Sequence, residues 1–481
     1  MSFVETLEPQ VLWRHFDRIL TIPRGSGSEG RVREYVLGVA AARGRSHTVD
    51  ATGNVLVRVP ATPGRERASA VILQGHLDMV NEKDSDVAHD FDRDPIKPRL
   101  QGDYLTATGT TLGADNGVGV AAMLALLEAD DVAHGPLELL FTIDEETGLT
   151  GASGLDPALL SGRTLINLDS EEEDTITVGC AGGADLSLYL PLAVAPVRNG
   201  SALAVKLRGL QGGHSGVDIH LQRGNAVKLL ARILHSAVHG HPFRVASLEG
   251  GNKHNAIPRE AVAVLVAAGD VAPLRTGLEA EFRAVQAEYA VADPGMALEV
   301  ADQPVPAEAW TSETGVHVLH LLEALPHGVL ALSRDIPGLV ETSTNLATVS
   351  VQAGRLAIGT SSRSSVMSAL RAMQRRLKAI GHLAAAEVVE RHGYPGWKPD
   401  LASPVLAVVR DVFTEVHGRE PAVGAIHAGL ECGIIGEKIP GMDMISIGPQ
   451  IEFPHSPAER VRVPSVAAFW EVLRQTLARL S

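Results

Sequence analysis

Cysteine is almost absent from the 481 residues. Only Cys180 and Cys432 occur, and they form no C-x-x-C pair, so neither a disulfide framework nor a thiolate zinc site can be built. A reducing compartment fits that usage. Long apolar runs are missing as well. Val118 to Leu127 and Ala261 to Ala268 are the longest, and both fall well short of the roughly 18 residues a membrane span needs. The start, MSFVETLEPQVLWRHFDRIL, is acidic and amphipathic, without the basic n-region, apolar h-region and small-residue cleavage site of a secretory signal. Positive charge is short too: 42 Lys and Arg stand against 57 Asp and Glu, a net charge of −15 spread along the chain. That argues against nucleic acid or anionic membrane as main partners. With 45% apolar and 21% charged residues, disordered, fibrous and low-complexity classes are excluded. The expectation is a soluble, cytoplasmic, globular protein.

What is present is length for a real core and a change of texture along the chain. At about 150 residues per domain the length predicts about three domains, or two if they are large. The first 180 residues alternate short apolar strands with helical patterns, the signature of an α/β sheet with covering helices. VILQGHLDM, LELLFTIDEE and RTLINLDSE each read as a strand that ends in acidic or imidazole residues, and GADNGVGVAAMLALLEA as a turn entering a helix. Polar chemistry just past strand ends is where ligands bind in open α/β sheets. Residues 181–399 show alternating runs and amphipathic helices, read as an inserted α+β domain. Its strand and helix order hints at an internal duplication, with no residue-level repeat. Residues 400–481 resume the first texture. One catalytic domain in two parts, 1–180 and 400–481, interrupted by the insertion, is the simplest architecture.

The candidate chemistry follows from residue types and spacing. His76 and Asp78 are two apart, so on a strand they face the same side, and a carboxylate there can orient an imidazole whose other nitrogen binds metal. Asp115 precedes a helix and could be a plain N-cap. Glu145 and Glu146 are adjacent carboxylates past a strand, costly unless a cation or proton lies between them. Asp169 ends another strand, and Glu171-Glu172-Glu173-Asp174 behind it reads as a solvated loop. His455 stands between Pro454 and Ser456-Pro457 in a rigid turn. Each signal has a bland alternative. Together they supply N and O ligands for two divalent metals sharing a carboxylate, with a spare Glu as base.

The ordered set GHLDMV, GADNGVGVA, DEETG, NLDSEE and PHSPAER closely resembles the dinuclear zinc peptidases that include carnosinases, aminoacylases and bacterial dipeptidases. The likeness covers essentially the whole chain. GGHSG, GGNKHNAIP, SSRS and HAGLECG look most like the bacterial aminoacyl-histidine dipeptidases. The resemblance implies a mixed-sheet α/β catalytic domain with an inserted α+β lid or dimerisation domain. It also implies two divalent ions, Zn2+ before Co2+ or Mn2+. His76, Asp115 and Asp169 would bind one ion and Asp115, Glu146 and His455 the other, Asp115 bridging. Asp78 would support His76, and a cis bond would join Asp115 to Asn116. Glu145 would be the general base, His214 the oxyanion donor, Asn255 and Arg363 the substrate holders, with His427 and Glu431 lining the cleft.

The activity implied is hydrolysis of dipeptides, Xaa-His types such as β-alanyl-histidine among them, by a zinc-bridged water that Glu145 deprotonates. Arg363 would bind the free carboxylate bidentately. The small peptide is the expected partner, and a homodimer is left open. A deacylase (aminoacylase) or tripeptidase on the same scaffold is the nearest alternative. A metal-binding homologue without turnover is the alternative of another class, against which Glu145 weighs.

Overall fold

Strands too apolar to face water on either side organise the first part of the chain: Val71–His76 and Leu137–Thr142 are buried at every position, as befits strands covered on both faces. The computed structural model describes residues 6–481. The first five residues of the amphipathic N-terminal stretch lie outside them. Two compact units form. One takes the chain up to Cys180, Trp397–Ala425 and Leu430–Ser481, the other Ala181–Gly396 and Ile426–Gly429.

The first unit is built on an eight-stranded mixed sheet. In chain order its strands are β1 (Ser46–Val49), β2 (Val55–Val59), β3 (Val71–His76), β4 (Leu137–Thr142), β5 (Thr164–Asn167), β6 (Thr175–Cys180), β7 (Ala422–Ile426) and β8 (Asp443–Ser446). Their spatial order is β1-β2-β4-β3-β5-β8-β6-β7. The central four, β4, β3, β5 and β8, run parallel. Helix α1 (Gln10–Leu20) buries Leu12, Trp13, Phe16, Ile19 and Leu20 along one stripe, the 3.6-residue periodicity of a surface helix. It packs on a second helix, α2 (Ala114–Glu128). That helix is apolar all round and buried from Ala114 to Leu127. A four-stranded sheet carries Ile451–Glu452, Arg460–Arg462, Tyr104–Ala107 and Pro98–Gln101 in that order.

The second unit is an antiparallel sheet with helices Ala226–Gly240, Ala272–Glu288, Ser312–Ala324 and Met367–Leu383 contributing to its core. The sheet repeats one strand order. Ser201–Arg208, Arg244–Gly250, Ala261–Ala267 and Ala297–Gln303 lie in the order fourth, first, third, second. Gly182–Pro191, Val340–Gln352, Arg355–Ser364 and Glu387–Tyr394 do the same. Among the described residues no helix is long and apolar enough to cross a membrane.

Candidate metal centre and active site

Three adjacent parallel strands deliver their carboxyl ends to one place. His76 is the last residue of β3, Glu145 and Glu146 follow β4, and Asp169 follows β5 by two residues. Asp115 comes from the entrance of α2, where the Asp115–Asn116 peptide is cis and Asp115 is non-helical (ψ 115°). Asn116 ties that entrance to the segment before Asp169, its Nδ2 donating to the Leu168 carbonyl at 2.7 Å. A Cβ at Gly75 would lie 2.3 Å from Asn116 Oδ1, so only glycine lets β3 pass this close. His455 belongs to the loop joining Ile451–Glu452 to Arg460–Arg462, with left-handed backbone (φ 59°).

The resulting geometry brings all five expected ligands together in the first unit. His76 Nε2 lies 3.0 Å from Asp115 Oδ1 and 3.2 Å from Asp169 Oδ1. His455 Nε2 lies 3.2 Å from Asp115 Oδ2 and 3.0 Å from Glu146 Oε2. Asp115 therefore turns one oxygen to each imidazole. The groups His76, Asp115, Asp169 and Asp115, Glu146, His455 each place their ligand atoms within 4.8 Å of one another.

Their titration reflects crowding. Burial opposes ionisation of Asp115, but His455 and His76 outweigh it and hold its carboxyl well below the usual range. Burial pushes Asp169 up to about 6, with Asp115 and Glu146 adding to the rise against His76. Glu145 is raised well above its ordinary value, first by burial and then by Asp169, Glu146 and Glu431, with His76 opposing. His455 is raised to about 11 by its contacts with Asp115 and Glu146.

Whether metal fits can be read from what these atoms lack. Glu146 Oε1 is buried without a hydrogen-bond partner among the described residues. Buried polar atoms are normally satisfied, and carboxylates packed this closely need a counter-charge. Two imidazoles and three carboxylates are a donor set for borderline divalent ions. The residues fit two such ions.

Several groups support the site: the expected Asp78, and Arg24 and Glu459, which carry no sequence signal of their own. Asp78, fully buried, accepts the backbone N–H of Glu145 at 3.1 Å, that of Glu146 at 3.2 Å and the Ser26 hydroxyl at 2.8 Å. Its Oδ1 faces His76 Nδ1 at 3.3 Å. Arg24, buried, donates to the carbonyls of Leu77 at 2.9 Å and Asp78 at 2.5 Å, and also to that of Gly113. Gly113 is left-handed (φ 72°), and a Cβ there would lie 2.6 Å from Arg24 Nη2. Glu459, buried, accepts the N–H groups of Leu112, Gly113 and Ala114 at 2.8, 3.0 and 2.7 Å and approaches that of Asp115 at 3.4 Å.

Glu171, expected in a solvated loop, is only partly exposed. Burial, Asp115 and Asp169 push it up to about 9, against His455. Glu431, expected at the cleft, has 0% exposure. It accepts Gln74 Nε2 at 2.5 Å and Thr142 Oγ1 at 2.6 Å, so its partners are the neighbouring strands β3 and β4.

The other expected residues lie in the second unit. His214 and Ala256, next to Asn255, pair in a two-stranded ribbon. His214 Nδ1 accepts the N–H groups of Gly216 at 3.3 Å and Val217 at 3.0 Å. With Nδ1 accepting, Nε2 is the ring nitrogen left to donate, the donor tautomer. Arg363, 6% exposed, donates through Nη1 to Tyr394 Oη at 2.7 Å. Its cross-strand neighbour Ser343 bonds His427 Nε2 at 2.8 Å. Burial, then Arg363 and His214, lower His427 to about 3.

The chain has counterparts among known proteins. A 41% identity over 482 aligned positions, covering 100% of this chain and 99% of the other, links it to the cytosol non-specific dipeptidase of Escherichia coli strain K12. The crystal structure of aminoacylhistidine dipeptidase from Vibrio alginolyticus superposes with a TM-score of 0.91 at 38% identity, over 100% of this chain and 98% of that one. Aminopeptidase PepT from Bacillus cereus shares the fold alone, with a TM-score of 0.58 and 16% identity over 98% and 99% of the two chains. The model of Peptidase family M20/M25/M40 matches residues 72–479. From this span, and from full-length identity to a relative, it follows that the chain belongs to Peptidase family M20/M25/M40.

Proposed function

We propose that this peptidase hydrolyses dipeptides, Xaa-His types among them, with two divalent ions, Zn2+ first, held by His76, Asp115 and Asp169 and by Asp115, Glu146 and His455. The observation that carries the reading is Asp115, whose two carboxylate oxygens face two different imidazoles with Glu145 raised above its ordinary range beside them. When bound, the ions supply Lewis acidity and the counter-charge that the carboxylates lack.

The chain's own groups do the rest. Glu145 is a carboxyl whose affinity for protons is raised by burial and by like charges, which suits a group that takes a proton from attacking water and returns it to the leaving amine. Asp78 keeps the turn of Glu145 and His76 in register with each other. The roles proposed for His214 toward the oxyanion, and for Asn255, Arg363 and His427 toward the substrate, rest on the resemblance. The donor tautomer of His214 and the bracing of Arg363 by Tyr394 are consistent with them. Glu431 we place beneath the strand ends, as a holder of Gln74 and Thr142. The sparse, unpaired cysteines support a cytoplasmic location, and a homodimer rests on the resemblance alone.

The test combines metal analysis with rates on free, N-acylated and C-amidated dipeptides, β-alanyl-histidine included. Free dipeptides should turn over with about two metals per chain, and blocked ones poorly. Faster turnover of N-acyl amino acids would make the protein a deacylase. Full metal loading without turnover on any substrate would make it a non-catalytic homologue.

A further inference from the structure

The loop 453–459 carries two things at once. His455 faces Asp115 and Glu146, and four residues on, Glu459 turns inward with 2% exposure. Its Oε2 accepts the N–H groups of Leu112 at 2.8 Å and Gly113 at 3.0 Å. Its Oε1 accepts that of Ala114 at 2.7 Å and lies 3.4 Å from that of Asp115. One carboxylate thus addresses four consecutive backbone donors of the segment that enters α2. Ala114 and Asp115 belong to the first turn, whose donors have no intrahelical partners, and all four residues are buried. Arg24 grips the same segment from the other side through the Gly113 carbonyl and reaches Leu77 and Asp78 behind His76.

We propose that Glu459 is a positioning residue for the bridging carboxylate: it fixes the backbone that carries Asp115, and through the loop it shares with His455 it couples the two metal positions. The inference rests on the proposed two-metal reading. Because Asp115 belongs to both ligand sets, a fault in its placement must weaken both positions together, whereas loss of His455 weakens one. A carboxylate is required because all four partners are donors. A glutamine would turn an NH2 toward two of them.

The experiment is zinc titration of metal-free Glu459→Gln against a competing chelator, with circular dichroism to establish folding and kcat and KM measured on a free dipeptide. Both zinc dissociation constants are expected to rise together, by roughly tenfold or more, the range seen when groups behind metal ligands are removed. kcat should fall at least about tenfold with KM within about threefold, and Glu459→Asp should recover part of both losses by restoring acceptors. A lower melting temperature with both affinities unchanged would make Glu459 a fold-stabilising residue only and overturn the proposal. Weakening confined to the His455 position would overturn the coupling. If Glu459→Gln does not fold, the same titration on Glu459→Asp decides, unchanged affinities again being the negative result. Zinc binding that is intact in the wild type without dipeptide turnover would instead count against the proposed function and leave the positioning role standing.

Discussion

Asp78 Oδ1 accepts the backbone N–H of Glu145 at 3.1 Å, so the carboxylate facing His76 also fixes the turn that holds Glu145, the proposed proton-transfer group. Burial opposes its ionisation, yet His76, Glu145 and Ser26 hold Asp78 down at about 2. Asp78→Ala should therefore lose two functions together. Zinc affinity at the His76 position is expected to fall 10- to 100-fold, and kcat should drop further than metal loss explains, because the 145–146 backbone donors lose their acceptor. Rates at saturating zinc separate the two effects. Full recovery of kcat by excess metal would show that Asp78 acts only on His76.

Glu145→Gln should keep both metals and lower kcat by about a thousandfold, since it removes the proton carrier and leaves the ligands in place. Near-wild-type turnover in the fully metallated variant would remove Glu145 from the mechanism.

His455→Ala should release one metal selectively, because His76, Asp115 and Asp169 still serve the other. Bound zinc is expected to fall from about two toward about one per chain at limiting metal. Unchanged stoichiometry and affinity would reduce His455 to a turn residue.

The residues of the proposed metal centre are legible because they stand at strand ends, a helix entrance or a tight turn, where a polar residue interrupts an apolar pattern: His76 after VILQG, Glu146 after LLFTIDE, Asp169 after LINL. Glu459 was visible in PHSPAER but mute. A glutamate that accepts backbone N–H groups needs no particular neighbour in sequence, only a loop that returns to residues 112–115. Arg24 is silent for the same reason, since its partners are carbonyls. Glu171 and Glu431 show the converse limit. In sequence one sits in an acidic run and the other in a glycine-rich motif, and only tertiary burial separates them from surface carboxylates. The repeated strand order of the second unit leaves no residue pattern either, because an antiparallel sheet asks only for alternation.

Away from the metals, His15 supplies a pH prediction. It is 5% exposed, with Nδ1 2.8 Å from Tyr35 Oη and Nε2 3.8 Å from Glu128. Burial outweighs Glu128 and lowers its pKa to about 4. The folded ring therefore stays neutral where an unfolded histidine, at about 6.5, takes a proton. The stability this contributes is present above about pH 6.5 and is lost as pH falls toward about 4. Between pH 7.5 and 5 the loss should be about 2 kcal/mol. Urea unfolding of the wild type and His15→Leu at both pH values checks it: the wild type should lose more on acidification than the variant. Equal losses would show that His15 is protonated in the fold.

The remaining prediction concerns Arg363 and its brace. Tyr394 Oη accepts from Arg363 Nη1 at 2.7 Å, and strand pairing sets Arg363 opposite Ser343, which holds His427. A guanidinium fixed at one nitrogen keeps its remaining N–H groups in a fork suited to a carboxylate. If that carboxylate is the free C-terminus of the dipeptide, Arg363→Ala should reduce kcat/KM by roughly 2 to 4 kcal/mol on free dipeptides and change little on C-amidated ones. Tyr394→Phe leaves the charge and removes the brace, a hydrogen bond from a charged donor, so its loss should be about 2 kcal/mol, roughly thirtyfold, and fall mainly on KM. In the double variant the tyrosine no longer has Arg363 to position, and the effect it exerts through Arg363 should vanish on the Arg363→Ala background. Additive losses would mean that Tyr394 acts on the substrate by another route. Equal losses on free and amidated substrates would show that Arg363 does not read the carboxylate.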